Sequence, residues 1–236
     1  MKSVTTIANS IKLSILGLLM AFTFAAETQA QFSVALDYQS RYVWRGSDFG
    51  NSPSLQPGLS YTTGGLEIGA WAAYATNGNP AGSEIDFYAA YTFETEAGDF
   101  SLSVTDYTFP DVPGDYFNSD AHFVELGLAY SASVSETWSI GLSGNVFVHN
   151  DDDNAFYGEV GLDYEGEDYS LSLFSGFSPA ETALYGNNTF AFINTGLSVS
   201  KELKITELFA VDVSTSLIAN PNAKTAFFLF GFGFSL

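Results

Sequence analysis

From residue 32 onward, apolar side chains recur at every second position, which restricts the chain to strands with one greasy face and one polar face. In the first stretch Phe32, Val34, Leu36, Tyr38, Tyr42 and Trp44 alternate with Ser33, Asp37, Gln39, Arg41 and Arg45. The pattern returns in 55–62, 66–74, 85–93, 100–105, 124–130, 138–143 and 160–164, and again in 169–177, 190–199, 208–219 and 225–236. No stretch carries a helical stripe of useful length. The spacing predicts about twelve strands of roughly ten residues, the length a tilted membrane-spanning strand needs. The phase of 190–199 switches near Ile193, which predicts a bulge, and 100–109 shows a similar break at Asp106.

The last segment is the most regular. Phe228, Phe230, Phe232, Phe234 and Leu236 share one face, with Leu229, Gly231, Gly233 and Ser235 between them. Such a face suits the closing strand of a barrel in lipid; a strand buried in a soluble core is the alternative.

Aromatics make up 16% of the chain and charged residues only 14%, yet the net charge is -20. A disordered acidic chain would lack the aromatics. Nucleic-acid binding is excluded, because phosphate neutralisation needs clustered Lys and Arg. With no cysteine there is no disulfide and no thiolate metal site. No cofactor is expected.

Residues 1–30 read as a secretory signal peptide. Lys2 and Lys12 precede an apolar run over 13–26, and Thr28 and Ala30 offer a cleavage site before Gln31. The run is short for a membrane anchor. The mature barrel would span 31–236 and carry 26 acidic residues against five basic ones.

The connections fall into two sets. Those at 62–65, 94–99, 131–137, 165–168 and 200–207 are expected on the periplasmic side. Those at 46–54, 75–83, 109–121, 149–155, 178–189 and 219–224 are longer on average and richer in Asn, Asp, Pro and Gly, as outer loops are. Tyr42, Trp44, Tyr61, Tyr74, Phe93, Tyr130, Trp138 and Tyr164 lie near strand ends, where aromatic girdles meet the headgroups.

The block 40–47, Ser-Arg-Tyr-Val-Trp-Arg-Gly-Ser, resembles porins of the TorF family. So do Pro53-Ser54-Leu55-Gln56, Gly69-Ala70-Trp71-Ala72 and Glu84-Ile85-Asp86-Phe87-Tyr88. The likeness covers roughly the first third of the mature chain. It implies an outer-membrane barrel with a pore, whose partners would be membrane lipid, lipopolysaccharide, envelope chaperones and the barrel-assembly machinery.

Ionisable residues on the polar phase are the candidate pore lining: Asp37, Arg41, Arg45, Glu67, Asp86, Glu125, Glu159, Asp163 and Asp212. A charge facing lipid costs about 2–4 kcal/mol at the midplane, so their common phase argues for a polar interior. Arg41 and Arg45 are the only arginines, and Glu67 or Asp86 could pair with them across the lumen. The set reads as a selective constriction or as a salt-bridge network bracing a narrow barrel. The run Asp151-Asp152-Asp153 could offer oxygen ligands to a hard cation, but lacks the spacing of an EF-hand loop; a solvated acidic loop is the plainer reading. An enzyme is not expected. Only His122 and His149 could serve as a base, and no G-x-S-x-G elbow is present. Besides a cation-preferring passive pore, a non-conducting structural or adhesive barrel and a soluble secreted β-sandwich fit the alternation.

Overall fold

The computed structural model describes residues 30–110, 118–207 and 209–235. The leader expected at 1–30 lies outside them apart from Ala30. Twelve strands form one closed antiparallel barrel: β1 (Gln31–Gln39), β4 (Ser54–Thr63), β5 (Leu66–Ala75), β6 (Glu84–Thr95), β7 (Gly98–Thr108), β8 (His122–Ser133), β9 (Trp138–His149), β10 (Phe156–Glu165), β11 (Ser170–Ser178), β12 (Ala191–Thr206), β13 (Phe209–Asn220) and β14 (Thr225–Ser235). Each strand pairs with its sequence neighbour, and β1 closes the ring against β14 from Ala35↔Ser235 to Gln39↔Gly231. Closure leaves no free sheet edge, which a sheet in hydrocarbon requires.

The alternation sets the sidedness. Phe32, Leu59, Leu102, Leu128, Leu142, Leu217 and the four even-numbered phenylalanines of β14 all point outward, with Phe228 70% exposed. A soluble sandwich would hide these faces, so that reading is set aside. Aromatic rings pair around one end of the barrel: Phe32 with Tyr61, Tyr91 with Phe93, Phe100 with Tyr130, and Trp138 with Tyr164.

That end also has the short connections, at 64–65, 96–97, 134–137, 166–169 and 207–208. The opposite end carries those at 40–53, 76–83, 150–155, 179–190 and 221–224, and there β7 ends at Thr108 and β8 begins at His122. The contrast is sharper than the sequence suggests because β12 runs to Thr206, through the stretch expected to turn. Leu203 and Ile205 keep the outward phase there, and Glu202 pairs with Asp212.

Two features of the phase have separate causes. The bulge at Ile193 is present: Phe177 pairs with Phe192 and Gly176 with Asn194, so Ile193 is the extra residue. Asp106, by contrast, interrupts nothing. It continues the outward phase of Leu102 and Val104, pairing with Phe87 and Val124 without a register shift. Its carboxylate meets His122 Nδ1 at 2.8 Å.

The expected first strand over 32–45 requires correction. β1 ends at Gln39, and Tyr42–Trp44 (β2) pairs instead with Ser47–Phe49 (β3) in a separate hairpin. Arg45 and Gly46 both have positive φ, 47° and 75°, as a two-residue hairpin turn demands. Period two continues through β2, so the break is silent in the pattern. Tyr42 and Trp44 accordingly belong to no girdle.

Candidate functional site

The β2–β3 hairpin does not extend the wall; it folds across the lumen at the loop-rich end. Its reach is visible in its partners. The Tyr42 hydroxyl donates to Glu84 Oε2 on β6 at 2.7 Å. The Trp44 ring packs 5.9 Å from Tyr107 on β7 and 6.5 Å from Phe147 on β9. At the tip, the Gly46 carbonyl accepts from Asn220 Nδ2 on β13. One hairpin thus touches walls on several sides of the barrel.

Arg45 locks it there. Its guanidinium donates from Nη1 and Nη2 to the two oxygens of Glu125 on β8, at 2.6 and 2.9 Å, and from Nη1 to the Tyr185 hydroxyl at 2.7 Å. Its plane lies 4.4 Å from the Trp44 ring centre and 4.3 Å from that of Tyr157 on β10. A fork on a carboxylate between two aromatic faces suits Arg and does not suit Lys. The pair is buried, at 10% and 5% side-chain exposure. Burial by itself would lower the Arg45 pKa, but the Glu125 hydrogen bond and the neighbouring Tyr185 more than offset it, so the net shift is upward. Tyr107 completes the shell, donating to Glu125 Oε2 at 3.0 Å.

Tyr185 arrives from the 179–190 loop. Asn187 braces that loop by donating to the carbonyls of Ala180 and Thr189. Burial pushes the Tyr185 hydroxyl up to about 12, so it remains protonated at neutral pH. Around it Tyr107, Phe147, Ala155, Tyr157 and Ile193 form a buried hydrophobic cluster, with Trp44 packed against it. The bulge has a purpose here. It turns Ile193 inward to full burial while Asn194 also faces the lumen, donating to the Tyr157 hydroxyl at 2.8 Å and to Glu159 at 3.1 Å.

The short-turn half of the lumen is different. A cavity of about 390 Å³ is lined by small and hydroxylated residues such as Ser101, Ala129, Gly141, Ser143 and Gly161, and by Asp99, Glu159 and Asp163. The barrel is therefore filled by an aromatic lock on one side and open and acidic on the other.

The predicted lining residues divide accordingly. Glu125 and Arg45 meet in the lock, and neither Glu67 nor Asp86 partners an arginine. Arg41 is not in the wall: it sits at the base of the hairpin, 39% exposed, bound to Asp48 and to Asn51. Glu67 accepts from the Tyr88 hydroxyl at 2.9 Å. Asp86 is buried beside Glu84, which the sequence reading missed. Glu159 accepts from Tyr157 and borders the open cavity with Asp163. Asp37 and Asp212 both pair with Gly233 across the closing strands. Asp151 and Asp153 do not converge: Asp151 accepts from the Ala155 amide and Asp153 from the Ala183 amide. Among the described residues no group of three possible ligands is placed to hold a metal. Tyr107, Tyr157 and Trp71 are large rings on the polar phase, a signal that could have revealed a filled interior.

A family model described as "Bacterial protein of unknown function (Gcw_chp)" matches residues 24–225. No curated protein matches. Among solved structures, the chain is similar to the KdgM porin in complex with disordered oligogalacturonate, with 11% identity and a TM-score of 0.58, over 86% of this chain and 99% of that one. It is similar to the NanC porin, with 9% identity and a TM-score of 0.52, over 86% and 98%. It is also similar to the COG4313 outer membrane channel from Pseudomonas putida F1, with 15% identity and a TM-score of 0.51, over 89% and 96%. At these identities the likeness concerns the fold, a porin-like barrel; it does not single out TorF porins.

Proposed function

The chain belongs to the Gcw_chp family of bacterial proteins, and from that premise we propose that it is an outer-membrane channel for passive diffusion of small polar solutes, with a preference for cations. The supporting observation is the open half of the lumen, where Asp99, Glu159 and Asp163 border one cavity that small residues such as Gly141, Ser143 and Gly161 leave unfilled. A narrow path walled by one sign of charge in a low-dielectric barrel concentrates the opposite sign. The likeness to a porin solved with oligogalacturonate does not extend to that ligand, because a polyanion would meet carboxylates here.

Reconstitution in planar bilayers under a KCl gradient tests the proposal. The expected result is small conductance steps with a reversal potential on the cation side, moved toward zero by Asp163→Asn. Anion-side reversal overturns it.

A second reading, a closed barrel serving as a scaffold, is favoured by the aromatic lock that fills the loop-side lumen. Absence of conductance steps from both the intact protein and a variant with the hairpin released would establish that reading.

A further inference from the structure

On the loop side of the lock lies a smaller cavity of about 120 Å³, separate from the acidic one. Its lining is mostly aromatic, including Trp44, Tyr107, Phe123 and Phe147, and Glu84 and Asp151 border it. Glu84 and Asp86 stand two apart on the lumen face of β6, 5% and 8% exposed. Tyr42 supplies one hydrogen bond to Glu84, and Asp86 Oδ1 is buried with no hydrogen-bond partner among the described residues. Both arginines are committed elsewhere, Arg45 to Glu125 and Arg41 to Asp48. Glu84 therefore presents a carboxylate to an aromatic chamber, with Asp86 buried beside it on β6, and among the described residues no cation pairs with either, although buried charge is ordinarily paired.

We propose that this chamber binds a small organic monocation, a primary ammonium on a single-ring or short alkyl body. The ammonium is held at Glu84, with Asp151 also on the chamber's border, and the body lies among the rings. Size limits the body to one ring at most, since benzene occupies an apolar cavity of about 150 Å³. Aromatic faces attract a desolvated cation, so the walls and the carboxylates favour the same ligand. A neutral molecule of the same shape keeps only the apolar part, and an anion is repelled. The site does not depend on whether the barrel conducts.

Calorimetric titration of the full chain, folded in detergent, with benzylammonium, benzyl alcohol and benzoate tests the proposal. Benzylammonium is expected to bind saturably at one site, about tenfold or more tighter than benzyl alcohol, because a charge-assisted contact is added. Benzoate is expected to give no binding heat. Glu84→Gln should bring benzylammonium to the level of benzyl alcohol in the same detergent. Heat-modifiable migration reports that the variant is folded, and Asp151→Asn, at the other carboxylate bordering the chamber, serves if Glu84→Gln is not. Equal binding of the amine and the alcohol, a preference that survives the substitution, or no saturable binding each overturns the assignment.

Discussion

Arg45→Ala is expected to raise single-channel conductance several-fold while the barrel remains folded. The substitution leaves Glu125 buried without its cation, and breaking such a pair costs about 3–5 kcal/mol. That cost falls on the hairpin rather than on the wall. β2 and β3 pair only with each other, so the ladder of twelve strands keeps all its backbone bonds when they leave. Besides Arg45, the hairpin is held by Tyr42 to Glu84, by Asn220 to the Gly46 carbonyl and by the packing of Trp44 on Tyr107 and Phe147. Undocking moves Trp44 out of the aromatic cluster and joins the acidic cavity to the loop side. Gly46→Val offers an independent route to the same state. A Cβ there would lie 2.0 Å from the Ile193 carbonyl oxygen, on backbone with φ of +75°. Replacing the pair together, Arg45→Met with Glu125→Leu, should restore both docking and low conductance, since an apolar pair of similar volume removes the stranded charge. Bilayer recordings of the four proteins check this. If Arg45→Ala and Gly46→Val both conduct like the parent, the hairpin is not the constriction.

The barrel was legible because its rule is local. Each wall residue's phase decides whether it meets lipid or lumen, and along the twelve wall strands that rule needs no reference to any distant contact. Even the bulge at Ile193 could be read, since an extra residue shifts the phase. What the pattern could not show was the hairpin. Tyr42, Trp44 and Arg45 alternate as wall residues do, while the chain leaves the wall at the bend of Ser40 and Arg41 and turns back on itself at Arg45 and Gly46. The partner of Arg45 was equally hidden. Glu125 lies eighty residues away, and choosing it over Glu67 or Asp86 depends on how far the hairpin reaches across the barrel. The lining carboxylates were found as a set because phase identifies them, whereas their division between a packed aromatic lock and an open cavity follows from where the aromatics on the polar phase converge.

Leu128→Arg and Ala129→Arg, one residue apart on β8, are expected to differ sharply in stability. Leu128 faces outward at 54% exposure in the middle of its strand, opposite Leu102 and Gly144. A guanidinium there enters hydrocarbon and costs about 2–4 kcal/mol, while the same change near the membrane edge costs about 0–1 kcal/mol. Ile205, at the short-turn end of β12, supplies that edge control. Ala129 points the other way, into the acidic cavity beside Ser101 and Ser143. An arginine at that position finds water and the carboxylates of Glu159 and Asp163, so its effect on unfolding should stay within about 0.5 kcal/mol. It should instead lower the preference for cations, by adding positive charge to the path. Guanidinium unfolding of the barrel in lipid vesicles, followed by tryptophan fluorescence, gives the stability order; the reversal potential gives the second effect. Equal destabilisation by the two arginines, or a larger loss at Ala129, would mean that the greasy face does not meet lipid. The opposite faces of a single strand would then have lost the distinction on which both the barrel and its acidic interior depend.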